Sequence, residues 1–263
     1  MPVAALVAAG HLFDISENNI RVTLARLRAA GMVEQDERGR YRLEQRAAAV
    51  RHQVLAWRSL EQRVRPWEGG WIGVHTAAVQ RSERRAHRHG ERALRLLGFE
   101  RFASALHVRP DNLVGGVAGV RQQLDTLGLD LKALVFGLRD LDAANEQRAR
   151  RLWNTAALRD GYRASRTALR KSERSLATLP AHEALVESFL LGGRVIRQLV
   201  LDPLLPQPLV PTSDRAALVE AMCRYDRAGR ACWSAFLKAA VQTSQPAPER
   251  RLQVLRNKQG EAA

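Results

Sequence analysis

The sequence predicts an α+β protein, and three observations along its 263 residues lead to that prediction. The first is a short arginine-rich helix pattern followed by a basic hairpin pattern, between Ile15 and Leu43. The second is an alternation of apolar strand patterns with helix patterns between residues 71 and 138. The third is a helical periodicity that runs from Asp142 to about Gln242 and is interrupted once by prolines.

The N-terminal helix pattern has a start signal, a stop signal and one apolar stripe. Ser16 can cap the helix by accepting backbone N–H bonds, and Gly31 provides a left-handed stop. The stripe recurs at i, i+4 and i+7 and predicts burial of Ile20, Leu24 and Leu27 against a core. Upstream, residues 3–9 can form a short helix with Gly10 as a turn.

A basic hairpin pattern follows this helix at once. MVEQ and RYRL read as two short strands joined by the Gly-containing turn DERG. A recognition helix followed directly by such a hairpin is a winged helix-turn-helix. That domain usually has another helix before the pair. We therefore expect either that its first helix is missing here or that residues from elsewhere in the chain cover the exposed apolar face.

The helix side opposite the stripe carries arginine and asparagine, whose side chains pair bidentately with guanine and adenine edges. The hairpin tip would rest on phosphates or in a minor groove. The alternative for any single arginine is an ordinary amphipathic helix with solvated charge. We expect the residues that contact double-stranded DNA to be Asn18, Asn19, Arg21, Arg26, Arg28, Arg38 and Arg40.

Composition limits the partner and the compartment. The formal net charge is +15, and only Lys132, Lys171, Lys238 and Lys258 are lysines, so arginine supplies nearly all of the positive charge. This balance favours polyanionic partners. Two cysteines without C-x-x-C spacing fit a reduced compartment. Because there is neither a secretory leader pattern nor an apolar run near ~18 residues, we expect a cytoplasmic protein without a membrane span.

The rest of the chain divides into a linker, an alternating region and a helical region. Strand patterns at 71–76, 102–108 and 132–138 alternate with helix patterns at 81–97 and 113–127, with a turn at 109–111, which predicts a ferredoxin-like sandwich. Asp202-Pro203 is expected to shape a turn. The predicted domains are a winged helix-turn-helix at 1–45, a linker helix at 46–68, the ferredoxin-like domain at 69–140, a helical domain at 141–242 and a flexible tail at 243–263.

Three groups of residues resemble the PaaX family of transcriptional regulators, the group named for the repressor of phenylacetate catabolism. The helix and hairpin, with Arg38-Gly39-Arg40-Tyr41-Arg42-Leu43, resemble the recognition helix and wing of that family. Trp71, LRLLGF at 94–99 and Val108-Arg109-Pro110 are similar to its central domain. Leu152-Trp153, Leu158 and Tyr162, then Asp202-Pro203-Leu204-Leu205-Pro206 and Leu209-Val210-Pro211, resemble its D-P-x-L-P-x-x-L-L-P segment.

This resemblance implies a homodimeric regulator of a catabolic operon, a repressor by expectation, that binds an inverted-repeat operator. It implies no enzyme activity and no cofactor. It also implies an acyl-coenzyme A thioester as effector, phenylacetyl-CoA in the name-giving branch, with a free aromatic acid as the alternative. The chain departs from the family in its first helix and in the strand WIGVHT, where relatives often carry an acidic residue.

A metal-dependent nuclease built on the central domain is the alternative function. Ferredoxin-like nucleases need an aspartate at the end of the first strand to hold Mg²⁺, whereas this chain offers His75 and Thr76 and no acid before Glu83. His87 and His89 lie two apart on a helix and point in different directions, so no metal site is expected. Aromatic residues of the effector region, Trp153, Tyr162 and Phe189, are expected in the core.

Overall fold

A computed structural model shows a mixed architecture of helices and two small antiparallel sheets, which confirms the α+β prediction at that level. It describes residues 1–36, 39–44, 54–77, 84–129 and 132–243. Residues 244–263 of the predicted tail and residues 46–53 of the predicted linker helix lie outside these residues. No helix in the described ranges is long and apolar enough to cross a membrane.

The described elements follow in chain order. The helices are α1 (Val3–His11), α2 (Glu17–Ala29), α3 (Arg84–Leu96), α4 (Gly116–Thr126), α5 (Ala143–Arg150), α6 (Thr155–Leu176), α7 (Ala181–Val200) and α8 (Thr212–Thr243). A 3-10 helix, η1 (Ala56–Arg63), precedes the larger sheet. The strands are β1 (Val33–Gln35), β2 (Tyr41–Leu43), β3 (Trp71–His75), β4 (Glu100–Arg101), β5 (Leu106–Pro110) and β6 (Leu134–Leu138).

These elements divide into two compact units. The first, here called the N-terminal unit, comprises residues 1–52, 175–189 and 226–263. The second, here called the central unit, comprises residues 53–174 and 190–225. The predicted domains are continuous ranges of the sequence, whereas each unit combines separate ranges. The predicted domain boundaries stay a prediction.

The central unit is built on a four-stranded antiparallel sheet with the order β4-β5-β3-β6. In chain order its elements run strand–helix–strand–strand–helix–strand. Strand β3 lies inside the sheet, and its residues Trp71, Ile72 and Val74 are buried. Such a continuous apolar run is what a strand covered on both faces requires. A β-carbon at Gly73 would lie 2.7 Å from the ring of Phe136, its partner on β6, so glycine is needed there.

One strand prediction was wrong in its position. Of the expected strand at 102–108, residues 106–108 belong to β5, and residues 102–105 connect β5 to β4, with which it pairs as a hairpin. Strand β5 continues through Arg109 and Pro110, where a turn was expected. The reason is that the Arg109 guanidinium is not exposed at a turn but buried, with its hydrogen bonds satisfied inside the protein.

The described residues of the predicted linker helix are α-helical at 54 and 55 and change to another helix type after them. Residues 56–63 form a 3-10 helix rather than an α-helix, and Ser59 breaks its helical geometry. Trp57 and Leu60 are buried on one side, so the apolar spacing still directs a face to a core. A tight 3-10 turn with a kink is a common connector between larger elements.

Arg109 holds the Asp202–Leu205 segment onto the central sheet. Its guanidinium donates to the carbonyl oxygen of Pro203 at 3.4 Å and to Oδ1 of Asn112 at 3.0 Å. Asn112 in turn donates from Nδ2 to the carbonyl of Leu204 at 2.7 Å. Burial, together with the positive charge of Arg63, lowers the pKa of Arg109 to about 9. It is therefore still charged at neutral pH, and carbonyl and amide oxygens meet that charge.

Asp202 shapes the segment from the other side, as its sequence predicted. Its Oδ1 accepts the backbone N–H of Leu204 at 2.8 Å, which makes the turn, and its Oδ2 accepts the Tyr162 hydroxyl at 2.6 Å. Burial raises the pKa of this carboxyl, while the charge of Arg215 opposes that shift. Arg215 donates to Glu61 at 3.0 Å and to the carbonyl of Leu205 at 3.2 Å. Removing only one partner from a buried ionic group of this kind is strongly destabilising, because the other charge is then left unpaired.

We predict that Gly98→Ala destabilises the central unit much more than Gly69→Ala does. Both glycines have a left-handed backbone, with φ of +72° and +85°, so alanine costs roughly 1 kcal/mol of backbone strain at either position. At Gly98, however, a new β-carbon would lie 2.6 Å from the Cα of Pro203, whereas nothing lies within 4 Å at Gly69. Overpacking adds about 1–3 kcal/mol at Gly98.

The measurement is urea unfolding of both variants beside the unaltered chain. Gly69→Ala controls for backbone strain alone. Equal losses of unfolding free energy in the two variants would contradict the close packing of Gly98 against the Asp202–Leu205 segment.

Candidate nucleic-acid interface

Helix α2 begins and ends as its sequence predicted. The Ser16 hydroxyl accepts the backbone N–H of Asn19 at 3.3 Å, which is an N-cap bond, and Glu17 lies in the first turn. Past its C-terminal end, Gly31 has a φ of +64°. Of the thirteen residues of the helix, Leu24 is the buried one. The helix therefore presents most of its circumference to solvent.

The predicted apolar stripe is only partly buried. Leu24 is 9% exposed and Ile20 is half-buried, but Leu27 is 37% exposed, so its predicted burial was wrong. Helix α2 approaches α1 closely at Ile20, where a β-carbon at Gly10 would lie 2.8 Å from the side chain. Leu27 lies two turns farther along α2. Gly10 was expected in a turn; it belongs to α1 and allows the two helices to approach.

The predicted contact residues that the structure describes share one property, which is exposure to solvent. Asn18 and Asn19 lie in the first turn of α2, where a recognition helix reads bases. Arg38 lies outside the described residues, and Arg40 is exposed beside β2. The structure thus brings five of the predicted residues onto one helix and a sixth onto the adjoining hairpin: Asn18, Asn19, Arg21, Arg26 and Arg28, then Arg40.

These arginines differ in what holds their side chains. Arg21 forms an i,i+4 ion pair with Glu17 at 2.6 Å. Arg28 donates from Nη1 to Oε1 of Gln35 at 3.1 Å, so its partner is a neutral amide. Arg26 and Arg40 have no side-chain partner in the described part of the chain, which leaves their guanidinium groups available to an anion.

The hairpin that follows α2 matches its prediction. Strands β1 and β2 pair antiparallel, with Gln35 opposite Tyr41. Asp36 organises the turn, because its Oδ1 accepts the backbone N–H of Arg40 at 2.7 Å and its carbonyl accepts that of Gly39 at 3.0 Å. Gly39 has a φ of +70°, which favours glycine. On the other side, β2 is met by Pro2, which forms a β-bridge with Arg40.

The sequence reasoning missed two polar residues of this surface, Gln35 and Tyr41. The Tyr41 hydroxyl donates to Oε1 of Gln35 at 3.1 Å, the same oxygen that accepts from Arg28. A search for charge and for base-reading side chains passes over a glutamine in a short strand. The available signal was the hairpin register, since the turn length places these two residues opposite each other.

Aromatic residues form a cluster elsewhere in the N-terminal unit. The ring of Phe13 lies 5.0 Å from that of Phe189 and stacks at 6.3 Å on that of Trp233. Phe189 is 58% exposed, so its predicted place in the core was wrong, whereas Trp153 and Tyr162 are buried in the central unit as predicted. The exposure follows from its position, since Phe189 meets aromatic rings on part of its surface and solvent on the rest.

Beside this cluster, the last turns of α8 line an open groove of about 600 Å³. Its floor is apolar, with Trp233, Leu237 and Val241 at spacing i, i+4 and i+8. Arg230 and Lys238 also line it. A volume of this order is typical of sites for small organic ligands. In the described ranges of the chain, no group of three or more metal-ligating side chains converges.

Comparisons with known proteins bear on the fold. No protein-family model and no curated protein matches the chain. Among solved structures, the chain is similar to an uncharacterized protein, Rv0674, from Mycobacterium tuberculosis, with a TM-score of 0.55. The likeness covers 93% of this chain and 92% of that one at 20% identity. At that identity the two proteins are shown to share a fold and nothing more.

Proposed function

We propose that the chain is a DNA-binding transcriptional regulator of the PaaX type that represses a catabolic operon. The observation that carries the proposal is helix α2, which leaves its asparagines and arginines exposed while a hairpin stands directly beside it. A helix that buries one leucine and offers Arg and Asn to solvent has the chemistry needed to enter a major groove.

The order of elements in the N-terminal unit supports a winged helix. A strand-like segment at Pro2 pairs beside β2, and helices α1 and α2 and the β1–β2 hairpin follow it. In this arrangement α2 is the recognition helix and the hairpin is the wing. Base contacts are then assigned to Asn18, Arg21 and Arg26, and backbone contacts to Arg40 with Arg38.

The central unit supports the family assignment in a different way. Its strand order, with one helix between the first and second strands and one between the third and fourth, is what a ferredoxin-like sandwich requires and supports that part of the proposal. Two of the segments that resemble the family, Val108-Arg109-Pro110 and Asp202–Pro206, are joined by hydrogen bonds from Arg109 and Asn112. Residues that are distant in sequence therefore pack together. This contact is a physical reason why both segments would resemble the same family.

A homodimer is part of the proposal. Two copies related by a two-fold axis would place two recognition helices on half-sites about one helical turn apart, because the symmetry of the protein requires the same symmetry of the DNA. The operator is then an inverted repeat.

We predict that Arg21→Ala weakens binding to a selected half-site by ~1–3 kcal/mol and relaxes the base preference at one position. Glu17→Gln is the matched control. It removes the partner of Arg21 and one negative charge from the same face, so this variant binds at least as tightly as the unaltered chain. Fluorescence anisotropy against every single-base variant of the half-site measures both effects.

A uniform loss of affinity across all base variants would show that Arg21 contacts a phosphate rather than a base. Weaker binding by Glu17→Gln than by Arg21→Ala would contradict the assignment of this face to DNA.

The proposed effector is an acyl-CoA thioester such as phenylacetyl-CoA. The groove on α8 has features that such a ligand requires, since its floor is apolar and two cationic side chains line it: Lys238, and Arg230, which is paired with Asp226 at 2.9 Å. It belongs to the N-terminal unit, as α2 does. An effector must bind two states of the protein with different affinity, and the coupling is typically ~1–3 kcal/mol.

We expect a CoA thioester present at a hundred times its Kd to stabilise the folded chain by ~2.7 kcal/mol. A thermal-shift series with CoA thioesters and free aromatic acids measures this. Leu237→Ala in the groove abolishes the shift, whereas Leu190→Ala, an exposed leucine that does not line the groove, retains it. If no thioester shifts the melting temperature or the DNA affinity, the effector proposal fails while the DNA-binding proposal stands.

A further inference from the structure

Arg28, Gln35 and Tyr41 form a polar triad that joins the helix to the hairpin. Arg28 lies in the last turn of α2, Gln35 ends β1 and Tyr41 begins β2. Both donors bond to one atom, the Gln35 Oε1, at 3.1 Å each. One amide thus fixes the position of the hairpin relative to the C-terminal end of the helix.

The chemistry of arginine determines how the amide is oriented. A guanidinium has donors and no acceptor, so the atom that faces Arg28 must be the amide oxygen. The Gln35 Nε2 then points away from Arg28 and carries two N–H donors. It lies 3.7 Å from the place where a β-carbon would stand on Gly39, that is, beside the wing turn. In the described part of the chain this nitrogen donates to no other group.

The triad differs from the other paired arginines of the same surface by its net charge. Arg21 is paired with Glu17 and Arg42 with Glu34, and each of those pairs is neutral overall. The hydrogen bond to Glu34, with the charge of that carboxylate, raises the pKa of Arg42. Arg28 is held by a neutral group and keeps its full positive charge, so it is both positioned and available to an anion.

The positive charge of Arg28 is needed to bind an anion at the C-terminal end of α2. The C-terminal end of a helix carries a partial negative charge, which repels an anion. A phosphate at this place must therefore be attracted by side chains. Arg28 supplies the charge and Gln35 supplies two further donors beside it, and a guanidinium matches the geometry of phosphate oxygens.

We infer that Arg28 and Gln35 form a clamp for one phosphodiester group of duplex DNA, with Tyr41 orienting the amide. This inference rests on the proposed DNA-binding function and adds a residue-level site to it. Gln35 acts in two ways: Nε2 donates to the phosphate, and Oε1 holds the guanidinium of Arg28 in place. Because backbone phosphates are the same at every base pair, the clamp contributes affinity and register but no base preference.

Four single variants, one double variant and one control of the whole 263-residue chain test the clamp. Gln35→Ala removes both functions of the amide and lowers duplex affinity ~3- to 10-fold, equally for selected and random duplexes. Gln35→Glu keeps an acceptor for Arg28 but replaces the donor by a negative charge, so it binds more weakly than Gln35→Ala. Tyr41→Phe causes a smaller loss in the same direction. Gln122→Ala, an exposed glutamine of the central unit, is the matched control and binds normally.

The salt dependence of binding distinguishes a phosphate contact from a structural role. Arg28→Ala reduces the slope of log K against log[salt] by ~0.9, the value for one lost phosphate contact. In the Arg28→Ala background, Gln35→Ala lowers duplex affinity by a smaller factor than it does in the unaltered chain. Because Arg28 and Gln35 are exposed and Tyr41→Phe keeps the half-buried ring, the variants lower the melting temperature only slightly, and the salt slope, which a purely structural loss leaves unchanged, decides the test.

The outcomes separate this inference from the function on which it rests. If the unaltered chain binds no duplex, both are overturned. If it binds and Gln35→Glu binds as tightly as Gln35→Ala, or Arg28→Ala leaves the salt slope unchanged, the clamp is overturned and the DNA-binding function remains. A loss confined to some base sequences would also overturn the clamp, since it would make the triad a base reader.

Discussion

A helix that buries one side chain cannot hold its own position, and this constraint governs the N-terminal unit. Burial of Leu24 contributes at most about 1.5–3 kcal/mol, whereas ordering the backbone costs on the order of 1–2 kcal/mol per residue. The neighbours of α2 must therefore fix it at several points. Ser16 caps its start, Gly10 lets α1 approach Ile20, and Gln35 ties its end to the hairpin. These contacts leave the arginine side chains of α2 exposed to solvent.

The central unit differs in that it buries arginine side chains. Arg109 and Arg215 are almost fully buried, and backbone carbonyls of the Asp202–Leu205 segment accept from both. Positive charge at the surface of α2 and positive charge in the core of the central unit thus serve opposite purposes. The first stays exposed to solvent, and the second fixes an irregular segment through hydrogen bonds to its carbonyl oxygens. Net charge alone does not distinguish the two uses, because burial decides which one an arginine has.

Local signals in the sequence were the reliable ones. The Ser16 cap, the Gly31 stop, the hairpin and the Asp202 turn depend on residues within a few positions of one another, and each appears as predicted. The errors concern contacts with distant residues. The exposure of Leu27 depends on where α1 lies, and the strand path at Arg109 depends on the Pro203 carbonyl, which is 94 residues away. The triad around Gln35 escaped notice because its members are ordinary polar residues until the hairpin register brings two of them together.

The central claim is that α2 and its hairpin read a two-fold symmetric DNA sequence. Selection of duplexes from a random-sequence pool by the purified chain, followed by sequencing, tests it most directly. The account predicts enrichment of an inverted repeat whose half-site centres lie about 10–10.5 base pairs apart, or a multiple of that distance. Recovery of no enriched sequence by a folded chain, or the same enrichment by a variant with Asn18, Arg21 and Arg26 replaced by alanine, would contradict it.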